Sequence, residues 1–316
     1  MRMRLAPLVA LLALLLSVAP AAAITKGGVP DAGEHPMVGQ LVFYVPDALP
    51  SPYPDPGGWF SCSGTLLSAT VVVTAGHCTF AVGENSVSTT TEDNRFTAAD
   101  GNGSGGNDVW FTTTEDGSQW DGWPLTFDAN GDLNYPTQAA RYAARSGFLN
   151  GDADWVRATS YPHPLYDDRA FYIHDAGVIE LDEAQPGPYG TIPTENYLQR
   201  YAGARNEHRF EVVGYGLQRA HPIFEIDGDT RMKADVRLLN LVSNPKRTYI
   251  QLSNNPATGG TCFGDSGGPT FDTTTSRLVV AVTSFGLSPN CTGIGGAYRL
   301  DQVDDLEFLA DHGIEP

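Results

Sequence analysis

The sequence predicts an all-β protein that closes with a single C-terminal helix. Three observations predict it. Short runs of β-branched and aromatic residues recur along the chain, and clusters of Gly, Pro, Asn and Asp separate them. Helical spacing of apolar residues is convincing only near the end, over residues 301–312, where Val303, Leu306, Phe308 and Leu309 favour one face. No internal repeat of solenoid period is present.

Taken in order, the chain opens with Arg2 and Arg4, an apolar run from Leu5 to about Val18, and Ala21-Ala22-Ala23. This is the layout of a secretory signal peptide, with cleavage expected after Ala23. A membrane-spanning helix needs about 20 apolar residues, and Pro7, Ser17 and Pro20 leave this run too short. Residues 1–23 thus read as a leader and residues 24–316 as a secreted, extracellular domain with no membrane attachment after cleavage.

Removing 23 of 316 residues leaves 293, long enough to bury about three-quarters of the unfolded surface. The leader carries two arginines and no acids, so 17 basic and 37 acidic residues remain, a net charge of −20. Such a chain is a poor candidate for binding nucleic acid or anionic lipid, because both repel it, and neither is expected as a partner.

The predicted strands fall at residues 37–44, 70–74, 171–181, 210–215, 232–241, 248–252 and 278–285. Residues 83–155 are rich in Gly, Asn, Thr, Asp and Trp and read as a long surface insertion with a hairpin or two. A Pro/Gly-rich stretch, residues 185–193, is a candidate link between two halves. The expected organisation is a first half over residues 24–190, interrupted at about 84–154, and a second half with the helix over 191–316.

Four cysteines, Cys62, Cys78, Cys262 and Cys291, form no C-x-x-C pair, so zinc is not favoured. In a secreted chain they imply two disulfides with three possible connectivities. The sequential pairing closes two short loops, each worth roughly 3 kcal/mol on a chain-entropy argument. Spacing alone does not choose it.

Three motifs carry chemistry. Gly264-Asp265-Ser266-Gly267-Gly268-Pro269 has the glycines that let a tight turn expose a serine hydroxyl beside backbone N–H groups. It also satisfies the G-x-S-x-G elbow of α/β-hydrolases. That fold needs an acid and a histidine after the serine, and the one later histidine is His312, four residues from the end. Val71-Val72-Val73-Thr74-Ala75-Gly76-His77-Cys78 ends a β-branched run in a histidine beside a cysteine, the rigid setting a general base requires. His174-Asp175-Ala176-Gly177-Val178-Ile179-Glu180-Leu181 starts an apolar strand with an aspartate suited to orienting an imidazole.

Together these motifs resemble the chymotrypsin/trypsin family of serine peptidases. The order His77, Asp175, Ser266 is the family's order. T-A-G-H-C is similar to T-A-A-H-C, and G-D-S-G-G-P matches without change. His174–Leu181 resembles N-D-I-A-L-x-x-L, with His174 in place of Asn and Gly177 in place of a larger apolar residue. Ile24-Thr25-Lys26-Gly27-Gly28 is like the I-V-G-G start. Gly214-Tyr215-Gly216, Ser284-Phe285-Gly286 and Gly296-Ala297-Tyr298 are like G-W-G, S-W-G and G-V-Y.

The resemblance implies two six-stranded antiparallel β-barrels with the active site between them and a C-terminal helix. It implies Ser266 as nucleophile, His77 as base, Asp175 as its orienter, and the N–H groups of Gly264 and Ser266 as the oxyanion hole. Gly260, Thr261, Ser284, Phe285, Gly286 and Gly296 would bind substrate. Gly260 at the pocket base, with Gly286 and Gly296 in the walls, implies cleavage after large apolar or aromatic residues. The amine of Ile24 would pair with Asp265 once the chain before it is removed, and here the leader signal abuts Ile24.

The resemblance implies a monomer acting on protein or peptide substrate, and neither a metal nor a cofactor is expected. The separation of His77 and Asp175, 98 positions, is the main departure. Within them, residues 100–108 and 128–132 partly resemble calcium loops, but both lack the bidentate glutamate and read as solvated acidic loops. A non-catalytic relative that binds a partner through the same surface is the competing reading, and such relatives usually lose a triad residue.

Overall fold

The computed structural model describes residues 28–49, 51–83, 88–90, 96–98, 105–221, 224–226, 229–244, 247–255 and 258–316. The leader, Ile24 and residues 100–104 of the first acidic loop lie outside the described residues.

Six strands close a first antiparallel barrel in the order Val38–Val45, Gly58–Leu66, Val71–Thr74, Gly177–Leu181, Val156–Pro162, Val109–Thr112 and back to Val38–Val45. A second barrel runs Arg209–Gly214, Met232–Asn244, Arg247–Asn254, Gly293–Arg299, Val279–Gly286, Pro269–Asp272 and back to Arg209–Gly214. The short strand Val29–Pro30 adds to the edge of this barrel at Met232 and Lys233. Closure leaves neither sheet a free edge along most of its length.

Side-chain alternation follows the strand period in Val156–Pro162, where Val156, Ala158, Ser160 and Pro162 are buried and Arg157 and Tyr161 face out. Val38–Val45 breaks the rule because it is buried on both faces. Leu41, Phe43 and Val45 point into the main core, while Val42 packs with Trp110, Leu149 and Trp155 in a separate cluster. The main core is shared: it runs from Leu41 and Val73 of the first barrel to Val213 and Val279 of the second. One continuous core fixes the two barrels against each other and so holds the cleft between them rigid.

The segment 84–154 is not a pure insertion. Val109–Thr112 lies within it and is one of the six strands of the first barrel. It also holds a second helix, α1, over Gln138–Gly151, where the sequence suggested none. Thr137 caps α1 by accepting the N–H of Ala140 at 3.1 Å. Its buried face is Gln138, Arg141, Arg145 and Leu149. The spacing is helical, but three of the four residues are polar, so no apolar period marks it. The C-terminal helix, α2, spans Val303–Asp311 as expected. The expected strand 171–181 begins only at Gly177, because Asp168–Ala170 forms a turn of 3-10 helix and His174 takes φ +51°.

The disulfides are Cys62–Cys78 and Cys262–Cys291. No helix among the described residues is long and apolar enough to cross a membrane.

Candidate active site

His77 sits in a single 3-10 turn, Gly76–Cys78, directly after the buried strand Val71–Thr74. The Cys62–Cys78 bridge ties that turn to the neighbouring strand Gly58–Leu66. Asp175 is fully buried just before Gly177–Leu181, the strand paired with Val71–Thr74. Strand pairing therefore brings the histidine and aspartate together across 98 residues. The backbone N–H of His77 donates to Asp175 Oδ1 at 2.9 Å, and its ring Nδ1 lies 3.0 Å from both carboxylate oxygens. The hydroxyl of Ser284 donates to Oδ2 from the second barrel.

This arrangement sets the electrostatics of His77. Burial opposes its protonated form, but the charge of Asp175 and its hydrogen bond outweigh burial and raise the pKa above 6.5. His77 itself lines the cleft.

Ser266 lies on the turn Gly264–Gly268, with Gly264 at φ +94° and Gly267 at φ +75°. A Cβ on Gly267 would stand 1.9 Å from Thr74 Oγ1, so glycine lets the turn dock on the strand that leads to His77. Ser63 fastens the turn further: its N–H donates to the Ser266 carbonyl at 2.8 Å and its hydroxyl to the Gly264 carbonyl at 3.0 Å. Thr74 in turn donates to the Ser63 carbonyl at 2.8 Å. His77, Gly264 and Ser266 line one cleft.

Asp265 is fully buried beside Gly214-Tyr215-Gly216. Its carboxylate accepts the N–H groups of Gly216 and Cys262, each at 2.8 Å. Burial nonetheless pushes its pKa up to about 7, against the pull of those two bonds.

The positions expected to bind substrate are brought together at the ends of paired strands, through Phe285 against Gly296 and Gly286 against Gly295. Gly296 does not open a pocket wall. A Cβ there would sit 2.2 Å from Cζ of Phe285, so the glycine makes room for that ring, which also packs against Tyr249 and Phe171. Gly286 is open. Asn254 was not foreseen: its Oδ1 lies 2.4 Å from where a Cβ of Gly260 would be, and its Nδ2 donates to the Thr261 carbonyl. An uncharged amide therefore lies beside the expected pocket base.

Two clusters of metal-ligating residues occur among the described residues: Cys62 with His77 and Cys78, and His163 with His174 and Asp304. In the first, the two sulfurs are joined to each other. In the second, the imidazoles stack at 5.0 Å with planes only 9° apart. A metal lies in the plane of each imidazole that binds it, and near-parallel planes do not converge on one ion. The second acidic loop, residues 128–132, turns its Asp128 carboxylate onto the N–H groups of Asn130 and Asp132.

Comparison with known proteins gives the family and the fold. A family model described as Trypsin matches residues 137–305, just over half of the chain. Similar solved structures include HL collagenase, at TM-score 0.53 and 14% identity over 92% of this chain and 99% of that one. Another is the Vibrio cholerae VesB protease, at TM-score 0.51 and 18% identity over 92% of this chain and 68% of that one. At such identities the likeness is one of fold. No curated protein matches the chain.

Proposed function

The chain belongs to the trypsin family, and on that premise we propose that His77, Asp175 and Ser266 cleave peptide bonds together, through an acyl-enzyme. The protein is a serine endopeptidase, and its substrate is a protein or peptide. The observation that carries the residue assignment is the buried Asp175 bonded to Nδ1 of His77, with Ser266 in the same cleft.

Ser266 Oγ attacks the scissile carbonyl carbon while its proton passes to Nε2 of His77. The carbonyl electron pair moves onto oxygen, and the N–H groups of Gly264 and Ser266 stabilise it. When the C–N bond breaks, His77 gives the proton to the departing amine, leaving an acyl group on Ser266. Water then repeats the sequence, with His77 again taking a proton and returning it to Ser266. Asp175 keeps the imidazole in the productive tautomer and stabilises the imidazolium.

Cleavage follows large uncharged residues. The amide of Asn254 beside Gly260 supports this, since neither supplies a charge for Lys, Arg, Asp or Glu. The substrate's acyl side runs along Ser284, Phe285 and Gly286 as an added antiparallel strand. The protein is secreted through residues 1–23, and signal cleavage before Ile24 creates the amine that pairs with Asp265. The active species is a monomer that binds neither nucleic acid nor membrane, as its net charge of −20 after leader removal favours.

The test is Ser266→Ala, which should lower turnover by up to about six orders of magnitude because the three residues act as a unit. An organofluorophosphate should label Ser266 and no other serine. A protein that takes no label and cleaves nothing would instead be a non-catalytic relative.

A further inference from the structure

The cleft that holds His77 and Ser266 extends well beyond them. It encloses about 710 Å³, and much of its wall is aromatic. Trp59 and Phe60 come from a barrel strand, Trp120 and Trp123 from the segment between Val109–Thr112 and α1, and Phe263 from just before the nucleophile turn. The tryptophans support one another: Trp120 and Trp123 meet edge to face at 4.9 Å, and Trp123 meets Trp59 at 6.0 Å. They are only half-buried, so they still present face to the cleft.

Besides His77, two charged side chains of opposite sign line this cleft, Asp168 and Arg145. Arg145 of α1 is 8% exposed and stacks over Trp123 at 4.7 Å. Its Nε donates to the Pro124 carbonyl and its Nη2 to Thr126 Oγ1. Arg141, one helical turn earlier and equally buried, bonds Thr126 and the Gly57 carbonyl. Among the described residues no carboxylate forms an ion pair with Arg141 or Arg145. Burial and the neighbouring Arg141 hold the guanidinium of Arg145 down to about 10. A buried cation without an anion is costly unless something else supplies one.

The position of the cleft says which part of a substrate meets this wall. The cleft includes His77, Cys62, Gly264 and Ser266, but none of Gly260, Thr261, Ser284, Phe285, Gly286 or Gly296. If the acyl part lies along the latter group, the chain beyond the scissile bond enters the cleft.

We propose that this cleft is a leaving-group subsite that takes a large aromatic side chain against Trp120 and Trp123, with Arg145 pairing a carboxylate on the same side of the scissile bond. The proposal rests on the reading of Ser266 as an acyl-forming nucleophile. The carboxylate has two sources, an acidic side chain or the substrate's own C-terminus.

Acyl transfer tests the subsite directly. The enzyme is acylated from an uncharged amino-acid ester, and amines compete with water for the acyl group. The amine nitrogen bonds to the acyl carbon, Ser266 Oγ departs, and the amine's proton returns to it through His77. The ratio of amide to acid product reports occupancy of the leaving side and does not depend on how much enzyme is active, so a poorly folding variant still reports.

Phenylalanine amide and tryptophan amide should outcompete alanine amide by about 10-fold or more, the effect of burying an aromatic side chain. Trp123→Ala should remove most of that advantage, and Trp123→Phe should keep it. Equal partition among the three amides would overturn the subsite. For the carboxylate, Phe-Glu-amide is compared with Phe-Gln-amide, and Phe-Gly with Phe-Gly-amide. A preference of about 10-fold in one pair, of the size of a charge-assisted hydrogen bond, should vanish in Arg145→Gln and persist in part in Arg145→Lys. The responding pair identifies the source, and equality in both pairs would overturn the role of Arg145. An ester that never acylates Ser266 would overturn the proposed function itself.

Discussion

The hydroxyl of Ser284, on a strand of the second barrel, donates to Oδ2 of Asp175, at the start of a strand in the first, at 2.5 Å. The residue that orients the histidine is thus gripped from both barrels: by His77 on one side and Ser284 on the other. Hydrogen bonds to buried charged groups contribute about 1.5–3 kcal/mol. Ser284→Ala should therefore lower kcat by about 10-fold or more with little change in KM, and Ser284→Thr should recover part of the loss. Unchanged kcat in Ser284→Ala would mean that Asp175 needs no support from the second barrel.

The pH profile follows from His77. The base must be neutral, and Asp175 overcomes burial to raise its pKa above 6.5. Activity should therefore fall as pH drops through a value above 6.5. The paired imidazolium also adds stability that is complete below 6.5 and fades as pH rises through the folded value. A pH–rate profile on a small ester checks this, and an acid limb centred below 6.5 would contradict it.

A second limb should appear on the alkaline side. Alone, the buried Asp265 with its pKa near 7 costs stability that grows as pH rises from its ordinary carboxylate value to about 7. The Ile24 amine would offset this while protonated. Its reference pKa is about 7.7–8.0, raised by the pairing, and the benefit is lost above the raised value. Activity should decline reversibly there. Asp265→Asn should cripple turnover while leaving the circular dichroism spectrum intact. N-terminal sequencing should find Ile24 first, and a fully active protein that starts upstream would end the idea.

His35 makes a separate demand on pH. Burial opposes its charge, yet Asp31 and Glu211 on either side raise its pKa to about 9. Stability from this contact is complete below 6.5 and lost as pH rises through about 9, a total of up to about 3 kcal/mol. The contact also holds Asp31, which anchors the buried Arg231 at 2.8 Å. Thermal melts should show the midpoint falling between pH 6.5 and 9.5, and His35→Gln should flatten that slope. A midpoint that rises over the interval would refute the assignment.

Specificity is read with a peptide library. Phe, Tyr, Leu or Met should dominate before the scissile bond, since the expected pocket base offers Gly260 and the neutral amide of Asn254. A profile dominated by Arg and Lys would refute it. Asn254→Asp should shift preference toward those basic residues by placing a carboxylate where the amide stands.

Much of this protein was legible in its sequence because the chemistry demands local patterns. A turn that exposes a serine needs the contiguous glycines around Ser266, and a histidine held beside a strand needs Val71–Thr74 before it. Those motifs, in the order His77, Asp175, Ser266, were sufficient to identify the family, the two barrels and the closing helix. The tertiary structure alone decided what packs across long separations. Ser63 fastens a turn 201 residues away, and Ser284 grips Asp175 across 109. Neither contact leaves a trace in the residues beside it. The same holds for Val109–Thr112, a strand of four residues within a polar stretch, and for α1, whose buried face is three polar residues, two of them arginines, and one leucine. A guanidinium stacked on tryptophan buries its apolar stem while keeping its hydrogen bonds, but it carries no apolar period. The wall of the cleft was hidden in sequence because it forms only where that helix folds back over the barrel.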